Sequence, residues 1–157
     1  MIQKLRALIL RVYQSLGARE WLWKLAVRLS VGLMFFGGAL KKIAHFQDFV
    51  QYFTSLGIPA AKVQAPFVVF VETTASFLLM LGLGTRVAAV FLSGIMVVAI
   101  LTAGIPENKI HADWSGLLSF LYLSDWLLLL ILLWFVFAGA GKASLDALLT
   151  RKNPTPT

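Results

Sequence analysis

The chain has 157 residues, of which 59% are hydrophobic and 13% are charged, and its formal net charge is +7. Soluble domains are about 45–50% apolar and about 25% charged, so this composition excludes an ordinary soluble protein and indicates one integral membrane domain. The absence of cysteine excludes disulfides, thiol redox relays and iron–sulfur ligation by this chain. The basic residues lie at the ends of apolar segments and in the tails, which membrane topology explains, so nucleic-acid binding is not predicted.

The first 20 residues carry too many charges to cross a bilayer. Apolar side chains recur there at helical spacing, and Lys4, Arg6 and Arg11 fall on the rest of the helix surface. This pattern predicts an amphipathic helix that lies in the membrane interface with a basic face.

Four apolar segments follow. In the first, the uncharged part, Leu29–Leu40, has only 12 residues. It can cross a hydrocarbon core of about 30 Å only if the side chains of Lys24 and Arg28 reach back to the N-terminal side. The predicted spans are Trp21–Ile43, Val63–Thr85, Val87–Pro106 and a segment within Trp114–Gly141. A surface helix is expected within His45–Lys62. The sequence therefore predicts an all-α integral membrane protein, with residues 1–20 as an interfacial helix, 21–141 as a four-helix transmembrane domain and 142–157 as a tail.

The basic residues are distributed unequally between the two sides of this bundle. Four predicted spans place both termini on one side, where ten basic residues lie, against four on the other side: Lys41, Lys42, Lys62 and Lys109. The positive-inside rule then predicts cytoplasmic termini. In the tail, Ser144 is expected to cap a short helix through Thr150, with disorder beyond it.

Glu72 is the one ionisable residue within Val63–Thr85. It lies about 13 Å along the helix from Val63, which puts it near the bilayer midplane. Asp125 is likewise the one charge within Trp114–Gly141. Carboxylates at such positions are costly and usually mark a functional group.

The tilt of helical side chains toward their own N-terminus suggests a partner for Glu72. In antiparallel neighbouring spans Lys41 leans toward Glu72, whereas Arg28 leans toward the cytoplasm, so a Lys41–Glu72 pair is predicted. Together with Asp125 these groups would form a polar pocket that opens outward. Two alternatives remain open: an ion pair that only fixes the helix register, and a neutral, protonated Glu72.

Smaller features complete the pattern. Gly32, Gly37 and Gly38 are expected to permit close helix approach. His45 and His111 lie beside acidic residues, but two histidines without cysteine are weak zinc ligands, so no metal site is predicted.

An ordered set of motifs between Trp21 and Leu148 resembles the DoxX family. The motifs are Arg28-x3-Gly32-x3-Phe36-x-Gly38-x2-Lys41, Phe46, Tyr52-Phe-Thr-Ser-Leu-Gly57-Ile-Pro59, Glu72, Leu83-Gly84-Thr85-Arg86-x-Ala88 and Gly139-Ala-Gly141-x2-Ser144-Leu145-Asp146. The resemblance implies a four-helix membrane bundle and carries over Arg28, Lys41, Glu72 and Arg86. Some relatives are subunits of thiosulfate–quinone oxidoreductases, and others are linked to membrane oxidoreductase complexes and oxidative stress.

The chain departs from this family at two places. Many members carry a histidine or another polar residue where Gly37 stands. Many also open the last helix with asparagine and lysine near a phenylalanine, where this chain has Ser119-Phe120 and then Asp125. A ligand or an activity that depends on those groups does not carry over.

These observations predict a multi-pass protein of a bacterial plasma (inner) membrane that serves as a quinone-interacting or anchoring subunit of an oxidoreductase complex. Its expected partners are the lipid bilayer, a redox protein and a second copy of the chain. Quinone is the expected cofactor, with none bound covalently. Glu72 would handle protons, and the ligand-binding candidates are Lys41, Asp125, Arg28, Phe36 and Tyr122, the last two stacking on a flat ring. The alternative is a non-catalytic scaffold, assembly partner or permeation protein, since no complete active site is recognisable.

Overall fold

The computed structural model describes Arg6 and residues 20–111 and 114–152, with side chains up to Leu149. Every regular element in these ranges is helical. The helices are α1 (Glu20–Ala44), α2 (Phe46–Ser55), α3 (Ala61–Leu81), α4 (Thr85–Ala99), α5 (Trp114–Leu121), α6 (Ser124–Ala138) and α7 (Leu145–Lys152). The amphipathic helix expected over residues 1–20 lies outside the described residues, apart from Arg6 and Glu20.

Within the described ranges, three helices are long and apolar enough to cross a membrane: α1, α3 and the continuous helix Thr85–Glu107, of which α4 is the first part. The number rises to four if α5 and α6, which meet at an angle of 62°, are one broken span. The 15 residues of α6 measure about 22 Å, less than a hydrocarbon core of about 30 Å. The sequence predicted one segment here and did not predict its bend.

The bend between α5 and α6 has a local cause. Leu123 adopts an extended conformation, with φ −63° and ψ 125°, immediately before Ser124 and Asp125. Serine and aspartate compete with the backbone inside a helix and favour its first turn, so this dipeptide starts a new helix instead of continuing the old one.

Glycines set the boundary between α3 and α4. Gly82 ends α3 in the left-handed conformation at φ +68°, and Gly84 precedes α4 at φ +57°. Glycine adopts this conformation without the penalty that a Cβ brings. The second span therefore ends at Leu81, earlier than expected, and Thr85 begins the third.

The helices pack in the order α1, α3, α4 and α6, each against the next. The core between them contains Phe35, Leu79, Leu92, Leu132 and Phe135, all at most 3% exposed. Large apolar side chains on the outside remain exposed: Phe67, Phe70, Val87, Leu101 and Phe137. An apolar outer surface of this kind suits lipid contact, so the fold is that of a multi-pass helical membrane protein.

The expected close helix approach is present at one of the three glycines. A Cβ on Gly32 would overlap Met80 Cγ and lie 3.3 Å from the Ser76 carbonyl oxygen. At Gly38 the nearest such contact is ordinary, 3.9 Å from Glu72 Oε1. The prediction is wrong at Gly37, where an added Cβ would meet no described heavy atom of a neighbouring helix within 4 Å.

The helix that begins with α4 widens into a π-helical segment at Ile100–Gly104, where Ile105 N–H donates to the Ile100 carbonyl, before it ends with Ile105–Glu107. Pro106 has no N–H, so a regular helix would leave the Thr102 carbonyl without its usual donor. Single π-helical turns of this kind are frequent at functional sites. The sequence did not predict this segment.

Candidate functional site

A cavity of about 500 Å³ lies between α2, α3 and the helix of α4, and the start of α6 contributes to its wall. Most of its surface is apolar, and five aromatic side chains line it: Phe49, Tyr52, Phe53, Phe67 and Phe91. Gly94 also lines it, and a Cβ added there would meet no described heavy atom within 4 Å. The π-helical segment contributes Thr102 and Ala103. The volume and the aromatic walls suit a small, flat, apolar ligand.

An ion pair closes one side of the cavity. Lys42 Nζ lies 2.5 Å from Glu72 Oε2 and donates a hydrogen bond to it. Glu72 is 3% exposed and lies behind Lys42, whose side chain lines the cavity. Lys42 Nζ is also 5.3 Å from the centre of the Phe49 ring. Because an ammonium has three donors, Lys42 can bind Glu72 and still donate to a ligand.

The predicted Lys41–Glu72 pair is wrong, because the partner of Glu72 is Lys42 and Lys41 is exposed. The buried face of α1 explains this. Arg28, Phe35 and Lys42 follow one another at intervals of seven residues, which keeps them on one side of a helix. Lys41 is one residue earlier and points away from that side.

Asp125 lies in the first turn of α6 and lines the same cavity as Lys42. No described residue makes a hydrogen bond or an ion pair with its carboxylate in this structure. Gln64 also lines the cavity, but its Nε2 donates to the Pro59 carbonyl oxygen over 2.7 Å. The cavity therefore presents a cation at Lys42 and an anion at Asp125.

Three other predicted site residues lie away from the cavity. Phe36 is half-buried on α1 and Tyr122 is 86% exposed, and neither lines it. The structure therefore does not bring these two rings into the cavity, and their stacking roles stay a prediction. Arg28 lies 14 residues before Lys42, about 21 Å along α1.

Arg28 instead holds the end of the chain against the bundle. It is 2% exposed, and its Nη1 and Nη2 each donate over 2.7 Å, to the carbonyl oxygens of Ala140 and Ala143. A Cβ on Gly82 would lie 2.5 Å from Arg28 Nη1, so this contact requires glycine. Arg28 is bound to backbone and is not available to a ligand in the cavity.

Asp146 ties α7 to the turn between α3 and α4. Its Oδ1 and Oδ2 accept hydrogen bonds from the N–H groups of Gly84 (2.8 Å) and Thr85 (3.1 Å), and its own N–H donates to the Gly82 carbonyl oxygen over 3.0 Å. Ser144 Oγ accepts from Ala147 N–H over 3.1 Å, which confirms the predicted helix cap. The helix continues through Lys152, so the disorder expected from Arg151 is wrong for its first two residues. We call Arg28, Gly82, Gly84, Ser144 and Asp146 the C-terminal clasp.

Helix α2 lies over the cavity and is joined to the opposite wall. Tyr52 donates from its hydroxyl to Glu107 Oε1 over 2.9 Å, which links α2 to the end of the third span. Burial raises the pKa of Tyr52 above its usual 10.0, and the hydrogen bond to Glu107 raises it further. The sequence did not identify Tyr52, Lys42 or Gly94 as members of a site.

The described residues contain no group of three or more histidine, cysteine, aspartate or glutamate side chains that could hold a metal ion. His45 Nδ1 and Asp48 Oδ2 are 3.8 Å apart, and both side chains are more than three-quarters exposed.

Comparison with known proteins supports the motif resemblance. The family described as DoxX matches residues 23–105, slightly more than half of the chain. The chain is 29% identical over 122 residues to a Bacillus subtilis (strain 168) protein named "Putative oxidoreductase CatD", covering 78% of this chain and 83% of that protein. No solved structure gives a significant match. The profile match and the ordered motifs together show that the chain belongs to the DoxX family.

Proposed function

We propose that this protein is the quinone-binding membrane subunit of an oxidoreductase, and that the quinone ring occupies the cavity between α2, α3 and α4. The cavity itself carries the proposal, because it combines aromatic walls with Lys42, whose ion-pair partner is the buried Glu72. A quinone is a flat ring with two carbonyl acceptors, and aromatic side chains stack on such rings in offset or edge-to-face geometry. The match to a protein named an oxidoreductase supports the reaction class.

The polar groups suit the chemistry of a quinone. Lys42 donates a hydrogen bond to one carbonyl oxygen while Glu72 balances its charge. Reduction of a quinone to a quinol takes two electrons and two protons. In this proposal a partner redox protein supplies the two electrons. The Lys42–Glu72 pair delivers one proton to the quinone oxygen that faces Lys42, and water delivers the other proton to the second oxygen.

Access from the membrane favours a lipid-soluble ligand. Phe67, Phe91 and Val98 line the cavity and are also 64%, 53% and 53% exposed on the outside of the helices. In a bilayer this outer surface faces acyl chains, so the ligand reaches the cavity sideways from the lipid.

The proposal includes four spans with both termini in the cytoplasm of a bacterium, and the ten-to-four distribution of basic residues supports it. Because the chain has no cysteine, Lys109→Cys and Thr155→Cys each introduce a single thiol. In intact cells an impermeant maleimide is expected to label position 109 and not position 155. Labelling of position 155 and not of position 109 would show that the termini lie outside the cytoplasm, which contradicts the proposed topology.

Gly94 allows the cavity to be tested with little risk to the fold. Gly94→Leu places a side chain where there is open space, so the variant should fold but its cavity should be filled. Gly37→Leu is the matched control, because a Cβ at Gly37 also meets open space and Gly37 does not line the cavity. Each protein is purified in lipid nanodiscs and titrated with a short-chain benzoquinone while the melting temperature is recorded.

The wild type and Gly37→Leu are expected to gain stability with quinone concentration, as a ligand of the native state requires, and Gly94→Leu is expected to gain none. Equal responses of Gly94→Leu and Gly37→Leu would place the quinone elsewhere. A flat response of the wild type at saturating quinone, with no quinone in its lipid extract, would leave a non-catalytic membrane scaffold as the better assignment.

A further inference from the structure

Among the polar side chains that line the cavity, Lys42 and Asp125 carry opposite charge and have opposite hydrogen-bonding character. Lys42 is a cation that can only donate hydrogen bonds, and Asp125, as a carboxylate, can only accept them. Both side chains line the same cavity, and no described residue forms a hydrogen bond or an ion pair with Asp125. A ligand that fills the cavity and satisfies both groups must therefore present an acceptor to Lys42 and a donor to Asp125.

The oxidised and reduced forms of a quinone differ in this respect. A quinone has two carbonyl oxygens, which only accept, so it can satisfy Lys42 but leaves Asp125 without a donor. A quinol has two hydroxyl groups, each of which donates and accepts. One hydroxyl of a bound quinol can accept a hydrogen bond from Lys42, and the other can donate a hydrogen bond to Asp125.

We propose that Asp125 makes the cavity selective for the reduced, quinol form of its ligand. This inference rests on the proposed function, because it assumes that a quinone-type ring occupies the cavity. A carboxylate placed against a carbonyl oxygen would lose hydration without gaining a hydrogen bond, which penalises the quinone. A hydrogen bond to a charged group is strong enough to change affinity by about tenfold or more.

The location of Asp125 suits this role. It is half-buried in the first turn of α6, immediately after the 62° bend that carries this turn into the cavity wall. Asp125 is thus an acceptor on the cavity wall, two residues after Leu123, whose extended conformation marks the bend.

The test compares the two redox forms of one ring. Full-length protein in lipid nanodiscs is titrated without oxygen, once with a short-chain benzoquinone and once with the same compound reduced to the quinol. The chain has no cysteine, so the reductant has no thiol or disulfide in the protein to change. Affinities are obtained from the rise in melting temperature with ligand concentration. We expect the wild type to bind the quinol about tenfold more tightly than the quinone.

Two variants distinguish selectivity from general binding. Asp125→Asn replaces the pure acceptor by an amide that also donates, so the quinone should bind more tightly than it does to the wild type. The affinities for the quinol and the quinone should then become nearly equal. Asp48→Asn removes an exposed carboxylate that does not line the cavity, and it should keep the full preference.

The outcomes separate this inference from the proposed function. Equal affinity of the wild type for both forms, or an undiminished preference in a folded Asp125→Asn protein, would overturn the quinol selectivity and leave quinone binding standing. Because the wild-type comparison needs no substitution, this result does not depend on the stability of the variant. If the wild type binds neither form, the proposed function fails and the selectivity fails with it.

Discussion

The two ends of the bundle use buried charge differently. In the C-terminal clasp, the Arg28 guanidinium and the Asp146 carboxylate are both bound to backbone groups, and a Cβ on Gly82 would lie 2.5 Å from Arg28 Nη1. At the cavity end, Lys42 and Asp125 face a space of about 500 Å³, and a Cβ on Gly94 would meet no described heavy atom within 4 Å.

The difference separates residues that hold the fold from residues that are free to bind. A charge whose hydrogen bonds all go to backbone groups fixes those groups, and its removal leaves buried carbonyls or N–H groups unpaired. A charge that faces a cavity keeps hydrogen-bonding capacity for a ligand. Arg28 and Glu72 both carry over from the family resemblance, yet only Glu72 belongs to the cavity end.

The largest expected loss of stability follows from breaking the C-terminal clasp. Arg28→Met removes two short, charge-assisted hydrogen bonds from a side chain that is 2% exposed. The free energy of unfolding should fall by about 3–5 kcal/mol, because the Ala140 and Ala143 carbonyls also lose their donors. Unfolding in mixed micelles, followed by tryptophan fluorescence, measures this change.

Arg86→Met is the matched control for that experiment. Arg86 lies on the same end of the bundle but is exposed, and its one hydrogen bond, to the Phe137 carbonyl oxygen, is long at 3.4 Å. The free energy of unfolding of Arg86→Met should be less than about 1 kcal/mol below that of the wild type. A similar loss in both variants would mean that the clasp stabilises the fold no more than an ordinary surface arginine does.

A smaller loss of stability is expected at the cavity end, where Lys41, which is adjacent to Lys42 in the sequence, provides a matched control. Lys42→Met leaves the Glu72 carboxylate without its partner, and the free energy of unfolding should fall by about 2–3 kcal/mol. The loss is less than for a fully buried pair because the Lys42 side chain is 29% exposed. Lys41→Met should change stability by less than about 0.5 kcal/mol, since Lys41 is exposed.

The double variant Lys42→Met with Glu72→Gln tests whether these two groups are coupled. It should recover part of the loss, because the buried charge has been removed together with its partner. Additive losses, or a larger effect of Lys41→Met than of Lys42→Met, would contradict the ion pair described here.

The pairing of Glu72 shows how far the sequence can determine this site. The apolar segments of the sequence predicted the three long helices and the surface helix, because length and hydrophobicity are local properties. A partner depends on the rotation of a helix about its axis, and neighbouring residues differ by about 100°. Side-chain tilt alone selected Lys41. The seven-residue spacing of Arg28, Phe35 and Lys42 is visible in the sequence, but Val27, Met34 and Lys41 have the same spacing. The burial of Arg28 and Phe35 in the structure is what selects Lys42.

Other features of the cavity have weaker signals in the sequence. Ser124-Asp125 and Pro106 are local reasons for a bend and for a π-helical segment, but neither the dipeptide nor the proline specifies an angle. The rings that line the cavity come from α2, α3 and α4, which are separate in the sequence, so no local pattern marks them as one set. Tyr122 is suggested by its position three residues before Asp125, but neither Tyr122 nor Phe36 lines the cavity, whereas Phe49 and Phe91 do.

The smallest expected effect concerns the link between α2 and the third span. Burial and the hydrogen bond to Glu107 raise the pKa of Tyr52, so the folded protein holds this proton more tightly than the unfolded chain does. The resulting stabilisation is fully present below the unfolded pKa of about 10, and it is lost as the pH rises through the higher folded pKa. Tyr52→Phe lacks this proton and should show a flatter decline of stability in that alkaline range.

The pKa of Tyr52 can be measured directly from tyrosinate absorbance, as the difference between the titrations of the wild type and Tyr52→Phe. Glu107→Gln keeps an acceptor near the hydroxyl but removes the negative charge, so the pKa of Tyr52 should fall toward its ordinary value. Burial alone should keep it somewhat raised, because burial is the larger cause. If Glu107→Gln leaves the Tyr52 titration unchanged, the two groups do not meet in the membrane, and α2 is not joined to the third span at this point.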